Sequence, residues 1–256
     1  MKIRNPSSIS LAMAAAALAT SMTAPHASAA DTCSARSAAT AAPVVELYTS
    51  EGCSSCPPAD KWLSRLKADP SVVALAFHVD YWDRLGWKDR FASPAYTQRQ
   101  AQQQVTSGAR FSYTPQVLID GVDRPDWPGA TSALTASRRP VAAVAVQLAR
   151  DATGYVATVA PAANAPAQLA AYWAVTEQGH RSAVKAGENE GASLAHDYVV
   201  REYRPVAAWA AGPIAVPRML HFEPAGTADP AHPRQVNLIV IDAATGRPVQ
   251  AAKLGC

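Results

Sequence analysis

The feature that most constrains the fold is a pair of cysteines between a strand pattern and a helix pattern. The motif Cys53-Ser54-Ser55-Cys56 follows an apolar run at residues 43–48 through a short polar turn. Pro57 and Pro58 come next, and proline is tolerated in a first helical turn because the N–H that it lacks would bond nothing there. Over residues 59–66 the apolar side chains recur at helical spacing. We therefore predict that the pair lies where a strand gives way to a helix.

Further strands and helices are predicted after this helix. Residues 72–77 form a continuous apolar run, typical of a strand covered on both faces in a parallel sheet. Strand, helix and strand in about 35 residues make a right-handed βαβ unit. Residues 94–106 predict a helix with glutamines on its exposed face, residues 116–121 a strand closed by a turn, and residues 128–139 a last helix. The order over residues 43–139 is therefore βαβ-α-ββ-α.

The position of the cysteine pair predicts redox chemistry. At a helix start, unpaired backbone N–H groups and the positive end of the helix dipole favour a thiolate over a thiol. The thiolate is the attacking species in thiol–disulfide exchange. We therefore predict Cys53 as the nucleophile and Cys56, one turn further on, as the cysteine that resolves the mixed disulfide.

The dipeptide Thr114-Pro115 supports the same interpretation. Residues 113–121 resemble the strand of thioredoxin-like folds that begins with a cis proline beside the cysteine pair, and they follow the motif by about 60 residues. X–Pro bonds are those in which the cis form costs little. In that fold the residue before the proline offers backbone bonds to a bound thiol substrate. Thr114 and Pro115 are therefore predicted to shape the substrate site.

A longer set of residues resembles a known family. It comprises residues 45–60 with the cysteine motif, residues 77–83 and 86–89 with their aromatic and acidic side chains, and residues 187–201. These stretches are similar to a family of uncharacterised secreted bacterial proteins, a domain of unknown function placed in the thioredoxin-like superfamily. The resemblance implies an α/β fold in which a thioredoxin-like domain, residues 43–139, precedes an antiparallel β-rich region. It implies no particular reaction.

The predicted secondary structure changes after Pro140, from alternating strands and helices to short strands. Strand-like segments separated by proline and glycine fall at residues 141–148, 155–159, 169–175, 198–203 and 236–241. Several short strands with turn signals predict an antiparallel β unit, either a small sandwich or a sheet packed on the first domain. Residues 140–256 are accordingly predicted to be a β-rich, sandwich-like domain.

Two polar residues near the motif are candidates for tuning it. His78 follows the second strand, at the edge where α/β sheets place ligands, so we expect it to approach the cysteines or to join a metal. Asp80 is a candidate for the same reason. Glu46 is one residue out of step with the buried carboxylate that thioredoxin has six residues before its first cysteine. Because a one-residue offset reverses the strand face, Glu46 is not expected to be the equivalent group.

No metal site is predicted. Zinc favours four ligands paired by spacing, and the sequence has neither a second C-x-x-C nor two closely spaced histidines. Cu(I) needs only two thiolates and remains an alternative for the cysteine pair, as does a purely structural disulfide. The remaining histidines are scattered and are interpreted as surface or packing residues: His180, His196, His221 and His232.

The N-terminus predicts export. Lys2 and Arg4 precede an apolar stretch of about nine residues, and Ala27-Ser28-Ala29 is a small-x-small cleavage site, as in a secretory signal peptide over residues 1–29. The apolar stretch is too short to span a bilayer, so no membrane insertion is expected after cleavage. Residues 30–42 predict a flexible lead-in. The protein is expected to be periplasmic or secreted.

Export also places the four cysteines in an oxidising compartment, where disulfides persist. Four cysteines allow three connectivities, and the spacing favours Cys53–Cys56 together with Cys33–Cys256. Cleavage of the signal peptide would remove Lys2 and Arg4, which leaves 21 of the 23 basic residues and all 20 acidic residues in the mature chain. This balance provides no basic footprint for nucleic acid.

These observations favour an exported thiol–disulfide oxidoreductase. Its cofactor is the Cys53–Cys56 couple itself, and its partners are protein thiols or a redox partner protein. The alternative is a non-enzymatic thioredoxin-like module that binds a soft metal such as copper, or a partner protein.

Overall fold

β-strands are the commonest regular structure of the described chain, and its few helices all lie before residue 135. The computed structural model describes residues 1–2, 33–134, 139–211 and 216–256. The helices are α1 (Pro57–Arg65), α2 (Pro94–Ser107) and 3₁₀ segments at Leu66–Ala68, Asp83–Leu85 and Trp127–Leu134. The strands are β1 (Ser34–Arg36), β2 (Val44–Thr49), β3 (Val73–His78), β4 (Gln116–Ile119), β5 (Val122–Asp123), β6 (Val144–Arg150), β7 (Tyr155–Pro161), β8 (Gln168–Glu177), β9 (His180–Ala183), β10 (Ser193–His196), β11 (Val199–Ala210), β12 (Arg218–Phe222), β13 (Arg234–Asp242) and β14 (Pro248–Leu254).

The unit β2–α1–β3 positions the cysteine motif. β2 and β3 pair in parallel from Val44↔Val73 onward, and every residue of both strands is buried, as their continuous apolar sequences predict. Trp62 and Leu63 of α1 pack on one face of these strands, in a core shared with Tyr198. α2 covers the other face, where the Tyr96 ring packs edge-on against Phe77.

An eight-stranded mixed sheet runs through the molecule, in the order β14-β13-β8-β11-β3-β2-β4-β5. β4 is antiparallel to β2, and the turn at Asp120 and Gly121, both with positive φ, leads into β5. On the other side β3 pairs in parallel with β11 at Val199↔Ala76. Strands from both sides of residue 140 therefore share one sheet, and Thr32–Cys256 forms one compact unit.

The β-rich part forms a sandwich with the distal half of this sheet. A four-stranded antiparallel sheet, in the order β1-β6-β7-β12, packs on β8, β13 and β14. Its strand β6 alternates buried and exposed residues, so one face is apolar and meets the other layer. The core between the two layers includes Trp173 stacked on Phe222, with ring centroids 5.1 Å apart. The protein is thus a mixed α/β fold dominated by β-structure.

Three features differ from the sequence predictions. The lead-in is not flexible over its described part, because Ser34–Arg36 adds as β1 to the edge of β6 and the following segment bridges Thr40 to Val141. The last helix is a 3₁₀ segment, Trp127–Leu134, and residues 135–138 lie outside the described residues. Most of the predicted signal peptide, residues 3–29, also lies outside them.

Two glutamines of α2 are the third difference, whereas Gln98 and Gln102 are exposed as predicted. Gln100 and Gln103 are buried rather than exposed. The Gln100 side-chain amide donates to the Tyr113 carbonyl at 2.7 Å and to Gln116 Oε1 at 2.9 Å. A buried amide is tolerated because its hydrogen bonds are made within the protein. The helix thereby holds the segment that leads to Thr114 and Pro115.

Candidate functional site

The cysteine motif connects the carboxyl end of β2 to the start of α1. Cys53 and Cys56 form a disulfide, with their Cα atoms 5.4 Å apart. Cys56 is the N-cap residue of α1, and no side chain caps the helix there. The Cys56 N–H donates to the Cys53 carbonyl at 3.2 Å, and the Cys53 N–H donates to the Ser50 carbonyl at 3.2 Å. The predicted pairing and its place at a helix start are both observed.

The disulfide is covered by its surroundings. Cys53 and Cys56 each have 0% of their surface exposed, whereas Ser54 and Ser55 between them are exposed. The Ser55 hydroxyl lies 3.4 Å from the Cys53 sulfur. Within the motif, the two serines are therefore the residues that solvent reaches.

Thr114 and Pro115 lie beside the motif, as the sequence predicts. The peptide bond between them is cis. The Ser55 hydroxyl donates to the Thr114 carbonyl at 3.5 Å, and the Trp82 indole N–H donates to the Thr114 hydroxyl at 2.8 Å. The loop after β3 and the start of β4 thus converge next to the disulfide.

A segment from the β-rich part covers the other side of the motif. We call residues 184–192, which connect β9 to β10, the β9–β10 loop. Its Glu188 carboxylate accepts hydrogen bonds from the Ser54 N–H at 3.0 Å and from the Ser54 hydroxyl at 2.8 Å. The side-chain amide of Asn189 donates to the carbonyls of Glu51 and Cys53, each at 2.9 Å. The sequence resemblance included both residues but assigned neither of them a role.

A buried ionic cluster lies next to the motif. His196 of β10 has one ring nitrogen 3.3 Å from Glu51 Oε1 and the other 3.9 Å from Asp60 Oδ1. Asp60 lies on α1 one turn after Cys56, and its other oxygen accepts from the Thr49 hydroxyl at 3.1 Å. Burial alone would lower the pKa of His196, but the two carboxylates outweigh burial and raise the pKa to about 9. His196 is therefore a buried cation at neutral pH.

The carboxylates of Glu51 and Asp89 are held in the ionised form. Burial opposes ionisation of Glu51, but His196 and the Trp87 indole, which donates to Glu51 Oε2 at 2.7 Å, outweigh burial and lower the pKa of Glu51. Asp89 behaves similarly. Burial is opposed there by His78 and by the backbone N–H groups of Glu51 and Phe91, so the pKa of Asp89 falls to about 2.

The two polar candidates, His78 and Asp80, are each bound by a neighbouring side chain. His78 is the last residue of β3, fully buried, and its Nδ1 lies 2.6 Å from Asp89 Oδ2, with its ring 5.0 Å from that of His196. It therefore belongs to the buried cluster and is bound to a carboxylate. Asp80 is bound by Thr97 of α2, whose hydroxyl donates to it at 2.5 Å, so it fastens the loop to the helix.

Glu46 is separated from the motif by the strand itself. Its carboxylate is bound by Arg99 at 2.5 Å, by the Tyr48 hydroxyl at 2.9 Å and by the Tyr172 hydroxyl. These partners lie on the face of β2 that α2 covers, as the one-residue offset predicts. The prediction for the remaining histidines was incomplete, because His196 pairs with carboxylates beside the cysteines. The nearest sequence signal was its place in the stretch resembling the known family.

The second disulfide joins the ends of the described fold. Cys33 precedes β1 and Cys256 follows β14, and they are bonded to each other as the spacing predicts. In the part of the chain that the structure describes, no three side chains of His, Cys, Asp or Glu are arranged to hold a metal ion. Across the same residues, no helix has the length and apolar composition needed to cross a membrane.

Two solved structures are similar to this one. The first is the X-ray crystal structure of a protein from Agrobacterium tumefaciens, 26% identical, with a TM-score of 0.62 over 84% of this chain and 94% of the other. The second is HBP35 of Porphyromonas gingivalis, 14% identical, with a TM-score of 0.55 over 85% of this chain and 76% of the other. At that identity the second likeness concerns the fold alone. No curated protein matches the sequence.

A family model described as a protein of unknown function, DUF1223, matches residues 44–241. The matched range begins at β2 and ends within β13, so it contains the cysteine motif, the segment with Pro115 and the β9–β10 loop. The resemblance to an uncharacterised family is thereby confirmed. Because the match covers more than half of the chain, this protein belongs to the DUF1223 family.

Proposed function

We propose that this protein is an exported thiol–disulfide oxidoreductase that acts on protein thiols through Cys53 and Cys56. The observation that carries the proposal is the disulfide at the start of α1, beside the exposed Ser54-Ser55 and the backbone carbonyl of Thr114. In this position a thiolate at Cys53 is stabilised by the helix dipole and by backbone N–H groups.

The proposed reaction oxidises two substrate thiols. A substrate thiolate attacks the Cys53 sulfur, the Cys53–Cys56 bond breaks, and Cys56 leaves as a thiolate that takes up a proton. A second substrate thiolate then attacks the substrate sulfur of the mixed disulfide and releases Cys53. One substrate disulfide forms, and the pair ends as two thiols. The reverse sequence reduces a substrate disulfide, and in either direction the cysteine couple carries both electrons.

The N-terminal half is proposed to be a thioredoxin-like unit. Supporting this are the parallel βαβ arrangement of β2, α1 and β3, the neighbouring order β3-β2-β4-β5, and Pro115 at the entry to β4 beside the cysteines. The signal-peptide pattern of residues 1–29 and the two disulfides support a periplasmic or secreted location, where oxidised cysteine pairs persist.

The decisive experiment measures the reduction potential of the pair and its exchange with a protein substrate. Purified mature protein is equilibrated with glutathione buffers and its free thiols are trapped. A midpoint between about −270 and −120 mV, the span of known thiol oxidoreductases, supports the proposal, and one below about −300 mV rejects it. With a disulfide-bonded protein substrate, the Cys53 thiolate of Cys56→Ser is expected to attack the substrate disulfide, release one substrate thiolate and accumulate as a mixed disulfide, whereas Cys53→Ser gives none.

A second candidate is a non-enzymatic binding module of the same fold. The observation that favours it is the complete burial of both cysteines, since reactive cysteines are usually partly exposed. In the reduced protein the two thiolates would suit a soft metal such as Cu(I). This function predicts that the reduced protein retains Cu(I) against a competing chelator, that Cys53→Ser abolishes retention, and that the wild-type protein turns over no thiol substrate.

A further inference from the structure

The carboxylate of Glu188 is hydrogen-bonded to the cysteine motif. It accepts from both the N–H and the hydroxyl of Ser54, the residue directly after Cys53. The two bonds to Ser54 lower the pKa of the Glu188 carboxyl, so the group is ionised at neutral pH. A full negative charge therefore lies next to the residue where the proposed thiolate forms.

The position of Glu188 is fixed by its neighbours in the β9–β10 loop. Asn189 donates to the carbonyls of Glu51 and Cys53, at 2.9 Å each. Gly187 has a φ of +77°, and a Cβ there would lie 3.4 Å from the Trp87 Cβ, so the loop approaches the segment after β3 closely. The contact between Glu188 and the motif is thus held by three consecutive residues of the loop.

This contact affects the two redox states unequally. In the disulfide state the sulfur atoms are neutral, and the carboxylate costs them nothing electrostatically. In the dithiol state a thiolate at Cys53 is repelled by Glu188, and the Ser54 N–H that could stabilise the thiolate is already occupied. Glu188 therefore stabilises the oxidised state relative to the reduced one.

We propose that Glu188 is a positioning residue that sets the reduction equilibrium of the Cys53–Cys56 pair and shifts it toward the disulfide. This inference deepens the proposed function and rests on it for its biological meaning. Its physical content concerns only the equilibrium between disulfide and dithiol. In that equilibrium two glutathione thiols give two electrons and two protons to the pair, and one glutathione disulfide is formed.

The test compares Glu188→Gln with Glu190→Gln in glutathione buffers at pH 7. The first variant keeps an acceptor oxygen and removes the charge, whereas the Glu190 side chain is exposed on the same loop and makes no hydrogen bond to the motif within the described residues. We expect Glu188→Gln to favour the dithiol about fivefold, a shift of about 20 mV toward oxidising potentials. Glu190→Gln is expected to stay within twofold of the wild type.

Two outcomes would overturn the inference. One is a Glu188→Gln equilibrium within twofold of the wild type, and the other is a shift toward the disulfide. Thermal unfolding of each variant checks that the loop change leaves the fold intact, and a second variant, Glu188→Ala, is expected to shift the equilibrium in the same direction.

The outcome for the proposed function is read separately, from turnover of a reduced protein substrate by the wild type. A shifted equilibrium without wild-type turnover supports the role of Glu188 and rejects the oxidoreductase. Wild-type turnover together with an unshifted equilibrium in Glu188→Gln supports the oxidoreductase and rejects the role of Glu188.

Discussion

The imidazole of His196 lies 3.3 Å from the carboxylate of Glu51, although the two residues come from opposite halves of the chain. Glu51 is fully buried two residues before Cys53, and His196 ends β10. The β-rich part therefore supplies the cation that neutralises the acidic surroundings of the cysteine motif. The two parts of the chain are coupled electrostatically at the candidate site as well as through the shared sheet.

Replacing His196 is expected to destabilise the protein strongly. His196→Gln removes the cation and leaves Glu51 and Asp60 as buried carboxylates near each other. Breaking a buried ion pair by removing one partner costs about 3–5 kcal/mol, because the remaining charge stays desolvated. The free energy of unfolding, measured in urea, is expected to fall by at least about 3 kcal/mol. The matched control is His221→Gln at an exposed position, which should change it by less than about 0.5 kcal/mol. Equal effects of the two variants would contradict the assignment of His196 as a buried cation paired with Glu51 and Asp60.

The same residue predicts a pH dependence of stability. The pKa of His196 is raised from 6.5 to about 9 in the folded protein. Its contribution is therefore fully present below about pH 6.5 and is lost as the pH rises through 9. A shift of this size corresponds to about 3 kcal/mol. Asp89, with its pKa lowered to about 2, contributes stability that is present above about pH 4 and is lost as the pH falls through 2.

Urea unfolding of wild type and His196→Gln between pH 5 and 9 checks this prediction. The wild type is expected to lose stability across the upper part of that range, while the variant should show a much flatter curve. A variant that retained the wild-type slope would assign the pH dependence to another group.

The sequence predicted the part of the site that is local in the chain. The apolar run before Cys53, the prolines after Cys56 and the helical spacing that follows all act within a few residues of one another. They correctly predicted β2, α1 and the position of the disulfide between them. The likeness of residues 113–121 to a known strand also predicted that Pro115 would lie beside the pair.

The rest of the site depends on contacts that no local pattern encodes. Glu188 and His196 reach the motif because β9 and β10, only four residues each, form a hairpin that packs against α1. Strands this short carry too little periodicity to be predicted. Gln100 illustrates the same limit, since its polarity predicted exposure while its tertiary hydrogen bonds bury it.

Loosening the β9–β10 loop is expected to speed reduction of the buried disulfide. Asn189→Ala removes the two hydrogen bonds that tie the loop to the carbonyls of Glu51 and Cys53. Asn189 also lines a cleft of about 440 Å³ between α1 and the hairpin, so the shorter side chain opens a route toward the motif. We expect the rate of reduction by dithiothreitol to rise several-fold, with a stability loss of about 1–2 kcal/mol. The control Glu190→Gln should leave the rate unchanged. A rate in Asn189→Ala equal to that of the wild type would mean that the loop does not limit access.

Removing the second disulfide is expected to destabilise the fold without altering the redox pair. Cys33 and Cys256 are 223 residues apart in sequence, and in the chain-entropy model closing so long a loop stabilises the folded state by about 5 kcal/mol. The bond also joins the start of β1, an edge strand of the four-stranded sheet, to the end of β14, an edge strand of the eight-stranded sheet. The double variant Cys33→Ser/Cys256→Ser is therefore expected to unfold at lower urea concentration. Its Cys53–Cys56 equilibrium with glutathione should remain within twofold of the wild type, because the two disulfides share no contact among the described residues. A large shift in that equilibrium would instead indicate that the terminal bond communicates with the cysteine motif through the shared sheet.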